Sequence, residues 1–84
     1  MPTGAQIRAA RALLRWSMQD LADKAQIGIS TVQRMELSDG VPASSGKNIE
    51  AVQRVLEAAG IEFLPGGMPI PPGTPGVRMR GRVF

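Results

Sequence analysis

The sequence predicts a mainly α-helical chain: four helices followed by a short C-terminal β-strand pair. Three observations lead there. Apolar residues recur at spacings of three and four from Ile7 to Leu14, from Leu21 to Met35 and from Ile49 to Ala59. Thr3 and Ser17 each stand three residues before a side chain that can close a capping box, Gln6 and Asp20. After Gly60 the composition shifts to Pro and Gly between two short runs of β character. This divides the chain into a helical domain over 1–60 and a tail over 61–84.

The first helix should open at Thr3 and run to Leu14 or Arg15, with Met1-Pro2 frayed ahead of it. Ile7, Ala10, Leu13 and Leu14 form its core face, and Arg8, Arg11 and Arg15 share the other side. Those arginines are open to two readings, a solvated helix face or a row of phosphate contacts. Trp16, the only Trp, precedes a helix start and is expected to pack beneath it rather than to stack on a base.

The stretch from Ser17 to Glu36, SMQDLADKAQIGISTVQRME, is the most informative part of the chain. Ser17 and Asp20 box the start of a second helix whose inner face is Leu21, Ala22 and Ala25. The run breaks at Gln26-Ile27-Gly28, with Ile27 suited to plug the space between two helices. A third helix follows, Val32 and Met35 inward, Ser30, Thr31, Gln33 and Arg34 outward. Two short helices joined by such a turn make a helix-turn-helix plan.

The spacing of Ser17, Leu21-Ala22, Lys24, Ile27, Val32, Arg34 and Glu36 resembles the phage-repressor-like helix-turn-helix family of bacterial regulators, the xenobiotic-response-element type. The likeness covers residues 3–60 and is specific only in the twenty-residue core. Several positions depart from the family pattern. Met18 stands where a phosphate-gripping Gln is usual, with Gln19 beside it, Gln26 where the turn usually has Gly, and Gly28 where the third helix usually has a Ser or Thr cap. The resemblance implies a lambda-repressor-like DNA-binding domain. It also implies an ion pair between Arg11 and Glu36, tying the first helix to the third.

Beyond Glu36 a turn-rich link (LSDGVPASSG) leads to a fourth helix, Gly46 to about Ala59, capped by Ser44 or Ser45 and stopped by Gly60. Ile49, Val52, Val55, Leu56 and Ala59 form its buried stripe, while Glu50–Arg54 and Arg54–Glu57 are spaced to pair on its surface. Strands are expected at 61–64 and 77–80, on either side of PGGMPIPPGTPG. They could close a hairpin, exchange with a second chain, or lie in a disordered tail. A similar ending occurs in some small members of the family.

In a helix-turn-helix the second helix of the unit enters the major groove. The base-reading candidates are therefore Ile29, Ser30, Thr31, Gln33 and Arg34. Gln33 suits adenine, Arg34 suits guanine and Ile29 suits a thymine methyl. Ser17, Gln19, Ser44 and Lys47 are the phosphate candidates, the last two because a helix start attracts anions. Each of these taken singly could be an ordinary exposed polar residue. Their convergence on one outer face favours a sequence-specific transcriptional regulator, with repression preferred because 84 residues leave little room for a sensor. A homodimer on a two-fold site in double-stranded DNA is the expected assembly.

Composition narrows the alternatives. Cys, His and Tyr are all absent, which removes thiolate metal sites, the commonest general base and the commonest metal ligand. An enzyme, a metal site and a cofactor are not expected. No apolar run reaches membrane length and no signal segment opens the chain, so a cytoplasmic location without membrane contact is expected. The net charge is +3, with all seven acids between Asp20 and Glu62 and arginines on both sides. The rival class is an antitoxin or antiactivator that holds a protein partner through its C-terminal strands.

Overall fold

The computed structural model describes residues 2–38, 40 and 44–64, together with the backbone of 76–79. It is mainly helical. Four helices, α1 (Gly4–Leu14), α2 (Met18–Ala25), α3 (Ile29–Leu37) and α4 (Gly46–Ala58), precede β1 (Ile61–Leu64) and β2 (Gly76–Met79).

Local chemistry explains most helix boundaries. At α1 the Thr3 hydroxyl accepts the Gln6 amide (3.1 Å) and the Gln6 side chain accepts the Thr3 amide (2.8 Å). Ser17 and Asp20 repeat the arrangement at α2, at 3.0 and 2.9 Å. Arg15 and Gln26 end these two helices in the left-handed region, at φ 57° and 58°. Helix α3 starts at Gly28, whose cap has no side-chain bond, and α4 starts at Ser45, whose hydroxyl accepts the Asn48 amide at 3.3 Å. Gly60, at φ 102°, turns the chain from α4 into β1.

One core joins all four helices to β1. Ile7, Ala10, Leu21, Ala22, Ala25, Val32, Met35, Ile49, Val52, Leu56 and Ile61 are buried, with Leu13, Leu14, Trp16, Ile27, Val55 and Phe63 packed around them. Strand β1 runs antiparallel to β2, with Ile61 opposite Met79 and Leu64 opposite Gly76. Gln6 ties the ribbon to α1, its amide donating to the Leu64 carbonyl at 3.0 Å. The buried polar side chains among the described residues all have hydrogen-bond partners.

Several expectations are corrected. Pro2 is buried, not frayed, because the Gly4 amide donates to the Gly40 carbonyl and draws the start of the chain onto the end of α3. Of the two caps expected for α4, Ser45 is the one used, and Ala59 is the half-exposed C-cap rather than part of the stripe. Arg54 bonds Glu50 at 2.8 Å, while Glu57 accepts from Gln53 at 3.4 Å. The second strand begins one residue earlier than expected, at Gly76. Asp39, Pro42, the Pro-Gly stretch 65–75, Arg80 and Arg82 lie outside the described residues. No helix among the described residues is long and apolar enough to cross a membrane.

Candidate nucleic-acid interface

Helix α3 has two chemically distinct sides. Val32, Met35 and Glu36 are buried, whereas Ser30, Gln33 and Arg34 are exposed and Thr31 is half-buried. Ile29 and Leu37 are the exposed large hydrophobics among the described residues, at 37% and 84%. The helix thus presents a polar strip with an apolar residue at each end. Arg34 reaches back to the Thr31 hydroxyl at 3.4 Å, one turn earlier, which restrains its long side chain on this strip. All five base-reading candidates therefore lie on one accessible helix surface, Thr31 being the least exposed.

The turn before α3 sets where that surface starts. Gln26 takes a left-handed conformation and sends its amide back to the Asp23 carbonyl, and the Ile27 amide returns to Ala22. Ile27 is half-buried between α2 and α3, packed against the core. With no side chain at Gly28, the first amides of α3 have no side-chain cap.

The phosphate candidates fall at the starts of α2 and α4, and their polar groups differ in how they are engaged. The Ser17 oxygen accepts the Asp20 amide, and the Ser17 amide binds the Asp20 carboxylate. That backbone donor, more than any other influence, holds the Asp20 carboxyl below the usual carboxylate range. Gln19 donates to Asp23 at 2.8 Å instead of facing outward alone. Asp20 and Asp23 thus place negative charge close to both candidates. At α4, Ser44 is half-buried and Lys47 is exposed, beside Glu50, Ala51 and Arg54 in a shallow surface depression.

The far end of α3 is held by α1. Arg11 grips Glu36 with two bonds, Nε to Oε2 at 3.0 Å and Nη2 to Oε1 at 2.9 Å, and its third nitrogen donates to the Trp16 carbonyl at 2.9 Å. The Glu36 side chain is 2% exposed and the Arg11 side chain 21%. Hydrogen bonding to Glu36 raises the Arg11 guanidinium further above its already high value. Lys24 sits 5.0 Å from the Trp16 ring centroid, a cation–π contact that sequence reasoning did not identify.

Two more contacts escaped the sequence reading. Gly4 lies so close to α3 that an added Cβ would collide with the Met35 and Ser38 carbonyl oxygens. Arg8 is half-buried and its Nη1 donates to the Glu36 carbonyl, so neither reading offered for it, solvated or phosphate-bound, describes this contact. A Gly at the first position of a helix was the only local hint of close approach. No group of three or more His, Cys, Asp or Glu side chains that could hold a metal occurs among the described residues. Compared with known proteins, the chain matches no family model, no curated protein and no solved structure.

Proposed function

We propose that this chain is a sequence-specific DNA-binding regulator of the lambda-repressor-like type, with α2 and α3 as its helix-turn-helix. In this reading α3 lies in the major groove, and Ile29, Ser30, Thr31, Gln33 and Arg34 face the base edges. The observation that carries the reading is the division of α3. Its inner side is fixed by Val32, Met35 and Glu36, and its outer side offers donors and acceptors suited to bases. A helix of this width fits the major groove of B-form DNA. The exposed Ile29 gains an apolar partner if it meets a thymine methyl.

Lys47 and the start of α4 supply a phosphate contact, with Ser44, Ser17 and Gln19 as weaker contributors because of their local engagements or burial. The active form is a homodimer on a two-fold site, with half-sites about 34–36 Å apart. Its regulatory effect is repression, exerted by occupying the site. No catalytic step and no cofactor enter this function.

The test is titration of the purified chain onto DNA from upstream of its own gene and onto scrambled DNA of equal length, at two salt concentrations. A preference of about 10³ or more that persists at the higher salt supports the reading. Equal, weak binding that disappears with salt reduces it to charge attraction. The rival reading, a protein partner on the C-terminal strands, would then lead. Within a specific complex, Arg34→Ala should relax one base position, whereas Lys47→Ala should weaken all sequences alike and lower the salt slope by about one.

A further inference from the structure

We infer that Arg8 is a positioning residue for α3, acting on base recognition without touching DNA. The inference rests on the DNA-binding reading above and extends it to a residue outside the proposed interface. The carbonyls of a helix's last turn have no intrahelical partner, and Glu36 is the penultimate residue of α3. Arg8 places a cationic donor on the Glu36 carbonyl, at the end of the helix where positive charge is favoured.

What Arg8 holds differs from what Arg11 holds. Arg11 grips the Glu36 side chain, and a side chain can rotate without moving the helix axis. Arg8 grips the main chain of the same residue. Gly4 adds the second main-chain point, seated against the Met35 and Ser38 carbonyls with its own amide on Gly40. Together they fix the direction in which α3 leaves α1. Ile29 lies seven residues before Glu36, about 10 Å along the helix. A tilt of about 6° at the held end therefore moves the Ile29 end by about 1 Å over that length. Hydrogen bonds to base edges lose most of their strength over such a displacement.

The experiment uses the full chain and two duplexes, one selected by the wild-type protein from a randomised pool and one scrambled. Each preparation's active fraction is measured by stoichiometric titration, so unfolded protein does not count as weak binding. Arg8→Met should lower affinity for the selected duplex by about tenfold, comparable to losing one good base contact. It should leave the scrambled duplex and the salt slope unchanged, and Arg8→Lys should recover most of the loss. If Arg8→Met fails to fold, Arg8→Gln carries the same comparison. Equal losses on both duplexes with the slope lowered by about 0.9 would make Arg8 a phosphate contact and overturn the inference. An unchanged selected-duplex affinity would overturn it as well, with the DNA-binding reading intact. A wild-type chain that selects no duplex would remove that reading and this inference together.

Discussion

Replacing Arg11 by Met should destabilise the fold more than replacing Glu36 by Gln. The asymmetry follows from where the two groups lie. The Glu36 side chain is 2% exposed and takes both Arg11 bonds, whereas Arg11 is 21% exposed and keeps its bond to the Trp16 carbonyl. Arg11→Met strands a carboxylate in a nearly dry site, a change that costs about 3–5 kcal/mol. Glu36→Gln retains shape and one acceptor, and leaves a guanidinium that water still reaches. Its cost should be about 1.5–3 kcal/mol, the range for hydrogen bonds to charged groups. A chain of this length has a total stability of roughly 5–10 kcal/mol, so Arg11→Met should remove about a third of it or more. Replacing both residues together by Met and Leu should recover part of the loss, since an apolar pair strands no charge. Urea unfolding at pH 7, followed by Trp16 fluorescence, reads all of these changes. If the two single variants lose equal amounts below about 1 kcal/mol, the pair behaves as a solvent-screened surface bridge and the argument from burial fails.

Three further outcomes are expected. Gly4→Ala should lower stability by about 1–3 kcal/mol through overpacking, even though Ala is the better helix former by about 1 kcal/mol, because the new Cβ meets the Met35 and Ser38 carbonyls; a thermal melt that rises instead would show that α1 can move aside. Gln26→Gly should raise stability by about 0.5–1 kcal/mol, since φ 58° costs Gln and not Gly; an unchanged or lower denaturant midpoint would count against the left-handed turn. The bond from the Ser17 amide lowers the Asp20 pKa in the folded chain, so its contribution is present above the unfolded value and lost as pH falls through the folded one. The stability difference between wild type and Asp20→Ala should therefore hold at neutral pH and shrink below about pH 4; a difference that persists unchanged in acid would refute the capping charge.

Parts of this fold were legible because their causes are local. The boxes at Thr3 and Ser17 join residues three apart, and Leu21, Ala22, Ala25, Val32 and Met35 mark their helix faces by spacing alone. The Arg11–Glu36 contact became legible only through a family resemblance, because nothing in the local pattern joins residues 25 apart. The outward set Ser30, Thr31, Gln33 and Arg34 was readable as the complement of the buried stripe. Which of them meets a ligand was not.

The sequence by itself determined where the helices begin and which side of each is apolar, since capping and periodicity operate within one or two turns. Only the tertiary structure decided what the polar residues of α1 do. Arg8 reaches a carbonyl 28 residues away, and Gln6 serves its own cap and a strand 58 residues away. The collision that forbids a side chain at Gly4 likewise exists only once α1 meets the end of α3. Such contacts leave no period in the chain, because a side chain's partner is chosen by how the helices cross, and the crossing is settled by the packing of the whole core.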